Sequence, residues 1–194
     1  MKIIILFMFA IIFLLKYVNS IISFDTYALA KSDPYVWSIC QGLPTEVQYY
    51  TMSCYILQVP LNYAQPNQSS ISISMLRLSS PNPKNNSLFV LNGGPGESGV
   101  GLVAIIDQLI PVEYGITIIF PDYRRTNFSS PFGCDDKNSQ IITIYSIEYL
   151  KNRWTIEGLN QFSTTSAVHD LAIQIEASQL IGRISISGVS YGTY

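Results

Sequence analysis

Two short runs of near-continuous apolar sequence, Leu88 to Leu91 and Ile116 to Phe120, are each followed at once by turn residues. Asn92-Gly93-Gly94-Pro95-Gly96 follows the first and Pro121-Asp122 the second. A strand without a polar face is covered on both sides, the mark of a mostly parallel sheet with helices on both faces. Helical segments separate these strands, at Gly99 to Ile110 and at Thr165 to Leu180, the latter with Val168, Leu171, Ala172 and Ile175 on one face. A last strand runs from Arg183 to Ser187. Alternation of this kind implies an α/β fold. Two further strands come earlier: Tyr55 to Val59, stopped by Pro60, and a stretch in which Ile71, Ile73 and Met75 alternate with Ser72, Ser74 and Leu76. That period of two gives one buried face. Asn127 to Gln140 reads as loop and Ile141 to Trp154 as a helix.

The N-terminus is of another kind. Met1-Lys2 precedes an uncharged apolar run from Ile3 to Leu15, closed by Lys16, and Val18 and Ser20 are the small residues a signal peptidase reads. Residues 1–20 are therefore expected to be a cleaved signal peptide that leaves no stable membrane span, since a spanning helix needs about 20 apolar residues. The alternative is a retained anchor. Without Lys2 and Lys16 the 194-residue chain keeps nine basic residues against thirteen acidic, a net charge of −4 with no basic patch, which excludes nucleic acid as a natural partner. A secreted or lumenal location gives meaning to the N-x-S sequons at Asn67, Asn85 and Asn127. It also favours a disulfide, for which Cys40 and Cys54 are the natural pair, within an otherwise irregular segment 21–52. Residues 53–194 then form the α/β domain. Cys134 is left as a free thiol, an intermolecular link, or half of a pair whose partner lies elsewhere.

The chemistry concentrates where strands end. The strand at Arg183 runs into Gly188-Val189-Ser190-Tyr191-Gly192, a G-x-S-x-G run that forces a tight strand-to-helix turn with the Ser hydroxyl exposed at the top of the sheet. Ser190 is thus the candidate nucleophile; the bland alternative is a Gly-rich turn with a solvent-facing Ser. Acyl transfer puts negative charge on an oxygen, which preorganised N–H donors must meet. The backbone of Tyr191 and that of the Gly-rich loop, at Gly94, are the candidate donors. Nucleotide binding does not suit the loop, which lacks Gly-x-Gly-x-x-Gly spacing and a following Lys-Ser/Thr. Ligands of parallel sheets bind at the carboxyl ends of the strands, so the Gly-rich loop, the Asp122 loop and the Ser190 turn are expected on one rim.

Four stretches, in order, resemble the prolyl iminopeptidase and tripeptidyl aminopeptidase family of secreted α/β-hydrolases. They are Cys54 to Tyr63, the Asn92 to Gly96 loop, Asp122 to Ser129 with Cys134, and Thr164 to Tyr194. The resemblance covers roughly Cys40 to the end of the chain. It implies the N-terminal part of an α/β-hydrolase fold and a Ser acyl-enzyme. The implied activity releases N-terminal residues or short peptides, or acts on another small acyl substrate, with no cofactor. The chain departs from the pattern at Asn62 (usually Asp), Asn92 (often His), and Arg125 and Asn127 (glycines). If those loop positions need positive φ, Asn tolerates it better than Arg.

His169, the single histidine, is not expected to act as the base: it precedes the nucleophile, whereas the family order is Ser, Asp, His. Asp170 is read as structural, Asp122 and Arg124 as a local ion pair fixing their loop, and Glu97 as a solvated charge, the alternative being a contact for a substrate amine. The acid and the base are then absent from the chain, and the 194 residues alone are expected to be a fragment without hydrolase activity, ending in an exposed apolar edge strand. An esterase of the same fold and a non-catalytic binding relative are the competing readings. Epoxide hydrolase and dehalogenase chemistry would need Asp at position 190.

Overall fold

The structure, a computed structural model, describes residues 36–43, 46–47, 49–94, 96–126, 129 and 144–194. The expected signal peptide, Pro95, the sequon at Asn127, Cys134 and the 127–140 loop (Ser129 apart) lie outside them. Among the described residues six strands form one sheet: β1 (Glu46–Val47), β2 (Tyr50–Pro60), β3 (Ser70–Ser79), β4 (Asn86–Leu91), β5 (Thr117–Pro121) and β6 (Arg183–Gly188). Their spatial order is β1-β2-β3-β5-β4-β6. The pairings from β1 to β5 are antiparallel, and only β5-β4 and β4-β6 are parallel. The sheet is therefore mixed rather than mostly parallel: a long antiparallel β2-β3 pair flanks a parallel core. Because β3 alone among the long strands is reversed, β2, β5, β4 and β6 all end on the same edge, at Pro60, Pro121, Leu91 and Gly188.

Side-chain parity divides the core in two, as the two-residue repeat of strands requires. Even positions Met52, Leu76, Leu78, Val90, Ile118 and Phe120 gather on one face with Val103 of helix α1 (Val100–Leu109). Odd positions Leu57, Val59, Ile71, Ile73, Phe89 and Ile119 gather on the other with Ala177 of α3 (Thr164–Ala177), against which Trp154 of α2 (Ile144–Asn160) also packs. Leu78, Phe89, Ile118 and Ile119 are fully buried; each such side chain contributes about 1.5–3 kcal/mol of transfer free energy. Helix α2 breaks at Thr155, whose φ of 57° is not helical and whose Oγ1 accepts the Gly158 N–H at 3.1 Å. Among the described residues no helix is long and apolar enough to cross a membrane.

Three sequence expectations change. Strand pairing begins within the segment expected to be irregular, since β1 and the start of β2 lie there and Tyr50 and Met52 are core residues. Helix α3 does not bury the stripe of Val168, Leu171, Ala172 and Ile175; its fully buried line is Ser166, Asp170, Gln174 and Ala177, and Val168 is 42% exposed. Leu171 and Ile175 only flank that line. Finally, β3 continues to Ser79 and buries Leu76 and Leu78 on the opposite face from Ile71, Ile73 and Met75.

Cys40 and Cys54 are joined, tying the segment before β1 to β2, where Ser38 and Cys54 also pair through both backbone groups. Replacing both cysteines by Ala is expected to lower the unfolding free energy by roughly 3 kcal/mol, the chain-entropy value for a loop of this length. Urea titration of the two proteins checks it. At the other edge, β6 pairs with β4, and Ile184 and Ile186 remain partly exposed beside Ile181 and Val189.

Candidate active site

The common strand edge gathers the loops that the sequence singles out. At the end of β6, Val189 is still extended and its N–H bonds to the Leu91 carbonyl at 3.0 Å. Ser190 then turns sharply, with φ of 53°, into a 3-10 turn over Ser190–Thr193 that the Thr193 hydroxyl closes on the Ser190 carbonyl at 2.7 Å. A non-glycine residue in this left-handed region costs about 1–2 kcal/mol, and such strain is characteristic of functional sites. The flanking glycines are sterically required. A Cβ on Gly188 would stand 2.1 Å from the Gly192 carbonyl oxygen, and one on Gly192 would stand 2.5 Å from that of Leu91. Ser190 is exposed at the tip.

The Gly-rich loop lies directly against this turn. A Cβ on Gly93 would meet Ser190 Cβ at 3.0 Å and Ser190 Oγ at 3.5 Å. Gly93 thus makes the close approach to Ser190, directly before Gly94, the candidate donor. The Gly93 N–H is engaged by Asn92 Oδ1 at 2.7 Å, while Asn92 Nδ2 donates to the Ser98 carbonyl at 2.6 Å. A side-chain amide supplies both an acceptor and a donor for this stitch, which gives Asn92 a structural role. Gly94, exposed with φ of 113°, follows as the next backbone donor. Tyr191 sits at the start of the 3-10 turn, where N–H groups lack intrahelical partners. Its ring turns aside to pack on Tyr123 and Tyr194, with its hydroxyl 3.3 Å from Thr164 Oγ1. Burial, and then the neighbouring Tyr191, push the Tyr123 phenol above its ordinary pKa.

Asp122 and Arg124 do not form the local ion pair the sequence suggests. Arg124 turns away to Asp170 on α3, donating from Nε at 2.6 Å and from Nη2 at 2.8 Å in a two-pronged pair with both partners buried. Its other donors go to the carbonyls of Pro60, Leu61 and Gln161. Asp170 also accepts the Tyr63 hydroxyl at 2.6 Å. Burial, reinforced by that carboxylate, holds the Tyr63 phenol far above its usual range. The structural reading of Asp170 thus fits its surroundings. The His169 ring stacks on Tyr63 at 4.7 Å. Tyr63 follows β2, a strand four places from β6 in the sheet.

Arg125 has φ of 75°. The loop keeps the backbone a glycine would favour, and the Arg bears the strain while its guanidinium lies 5.9 Å from the Phe162 ring centroid. Arg125→Gly is expected to be more stable than Arg125→Ala by about 1 kcal/mol, because only the Ala variant retains a Cβ in the left-handed region. Thermal unfolding of the two variants decides it. Glu97 is exposed. A groove of about 210 Å³ between Ile39, Cys54, Ile56 and Met75 lies beside the disulfide, and Ser190 is not among its lining residues.

No family model and no curated protein matches the chain. Among solved structures it is similar to a cold-adapted esterase from an Arctic intertidal metagenomic library, with 16% identity and a TM-score of 0.44 over 81% of this chain. It is also similar to a Bacteroides fragilis protein described as an acetyl xylan esterase, with 14% identity and a TM-score of 0.47 over 76% of this chain. A third is the peroxisomal alpha-beta-hydrolase Lpx1 of Saccharomyces cerevisiae, with 11% identity and a TM-score of 0.38 over 75%. The chain spans 57%, 40% and 39% of the lengths of these three proteins.

Proposed function

We propose that the chain carries the nucleophile and the oxyanion loop of a serine hydrolase of the α/β-hydrolase fold. The observation that supports this most is the strained, exposed Ser190 turn packed against Gly93, which brings a hydroxyl beside a glycine backbone at the carboxyl edge of the sheet. In this reading Ser190 Oγ attacks a carbonyl carbon, and its proton passes to a general base. The N–H groups of Gly94 and Tyr191 hold the negative oxygen, and the leaving amine or alcohol departs as an acyl-enzyme forms. Water then releases the acid. His169, held on Tyr63 at the β2 flank, is not the base in this scheme. The scheme needs a general base, and a carboxylate to orient it, in addition to the residues named here.

Within that chemistry the favoured substrates are peptides attacked from a free N-terminus, which the ordered resemblance of four stretches supports. Hydrolysis of short acyl esters is the second reading, which the same turn and donors would serve. The protein is further proposed to be exported and to carry N-glycans, a reading supported by the disulfide and by the exposed Asn67 and Asn85. The test is a substrate panel on protein made from its complete coding sequence: aminoacyl and tripeptidyl amides against blocked peptides and short-chain esters. Cleavage of free-N-terminal amides over blocked ones supports the peptidase. Ester cleavage alone supports the esterase. Binding without turnover of any substrate would favour a non-catalytic relative and contradict the proposal.

A further inference from the structure

Asp122 reaches further into the site than the fixing of its own loop requires. Its carboxylate is buried at the end of β5, where Oδ2 accepts the Ser74 hydroxyl at 2.8 Å and Oδ1 accepts both the Ser98 hydroxyl at 2.7 Å and the Gly99 N–H at 2.9 Å. Gly99 opens α1 and has no side chain with which to cap it, so a carboxylate from the neighbouring strand serves instead. The backbone of Asp122 is itself held: its N–H donates to the Ser74 carbonyl at 2.9 Å, and its carbonyl accepts Gln174 Nε2 at 3.3 Å. From there the bonds run on toward the nucleophile. The Ser98 carbonyl accepts Asn92 Nδ2, and Asn92 Oδ1 accepts the Gly93 N–H, which ends the path at the glycine lying against Ser190. A Cβ on Gly99 would stand 2.6 Å from Phe120 Cβ, so this end of the loop is pressed onto β5 as well.

We propose that Asp122 is a positioning residue for the oxyanion site: through Ser98 and Gly99 it sets where the Gly-rich loop, and with it the Gly94 N–H, stands relative to Ser190. The proposal rests on the reading of Ser190 as nucleophile. A donor aimed at developing charge acts only if it is already in place, and losing one costs about 100- to 1,000-fold in kcat. A shift of about 1 Å at such a site costs on the order of 100-fold.

The experiment compares steady-state kinetics and melting temperature for protein made from the complete coding sequence and four variants. Asp122→Ala is expected to lower kcat by about 100-fold with KM changed by less than about threefold, because the interaction matters in the transition state. Asp122→Asn is isosteric and keeps an oxygen for Ser98 and Gly99, so it is expected to restore kcat to within about fivefold of wild type. Ser98→Ala, which removes one link, is expected to cost about tenfold. Tyr63→Phe removes a bond to Asp170 that is not a link in the path from Asp122 to Gly93; it is expected to lower the melting temperature and leave kcat unchanged. Wild-type kcat in Asp122→Ala, or a kcat loss equally large in Tyr63→Phe, overturns the proposal. Should Asp122→Ala not fold, an unchanged kcat in Ser98→Ala overturns it alone. Ser190→Ala, measured alongside, separates the two claims. Residual full activity there sinks the nucleophile, whereas an inactive Ser190→Ala beside a fully active Asp122→Ala sinks only the role of Asp122.

Discussion

Ser190→Ala is expected to lower hydrolysis by the protein made from its complete coding sequence by roughly a millionfold in kcat, the scale seen when the nucleophile of a triad is removed. The substitution deletes one oxygen from an exposed residue, so nothing in the core changes. Far-UV circular dichroism and the melting temperature should match wild type. The backbone is the stronger constraint. Gly188 and Gly192 hold the turn by letting carbonyl oxygens pass where any Cβ would collide. The loss in Ser190→Ala should fall on kcat with KM nearly unchanged, since ground-state binding does not depend on the hydroxyl.

Asp170→Ala is expected to cost about 3–5 kcal/mol of folding free energy, because it leaves the Arg124 guanidinium buried without its counter-charge. Both side chains are 2% exposed, so water cannot take over the lost contacts. The double variant Arg124→Met, Asp170→Ala, measured with both single variants, separates the charge from the packing. Removing both partners leaves the Pro60, Leu61 and Gln161 carbonyls short of a donor but strands no charge. It should therefore be no less stable than Asp170→Ala, with an interaction energy of about 2–3 kcal/mol in the cycle. Additive losses in urea titrations would mean that the pair is not the unit that holds the Asp122 loop to α3.

How much of this was readable from residues alone depended on the range of the interaction. Leu88 to Leu91 and Ile116 to Phe120 announce themselves because a strand covered on both faces is apolar almost throughout, with Thr117 the one polar position in the two runs. The first half of β2 was missed because Thr51 and Ser53 interrupt the apolar signal, although Tyr50 and Met52 are buried. The buried line of α3 was misread for the opposite reason. Three of its four residues are polar, and Asp170 and Gln174 are buried only because Arg124, Tyr63, Ser74 and Asp122 arrive from far along the chain to satisfy them. A pair 46 residues apart leaves no local trace, so the nearer Asp122 looked like the partner of Arg124. The glycines of the Ser190 turn were legible because a steric requirement is written in residue type. Whether Gly93 or Gly94 faces the hydroxyl depends on the path of the loop, which the Asn92 amide fixes.

The central claim is that Ser190 forms the covalent bond to substrate. Treating the protein made from its complete coding sequence with a fluorophosphonate and mapping the adduct by peptide mass spectrometry tests it directly. The account predicts one stoichiometric adduct, on the peptide containing Ser190, formed at the rate at which hydrolysis is lost. Loss of hydrolysis with the adduct on any other residue, or hydrolysis that persists once Ser190 is fully modified, would contradict it.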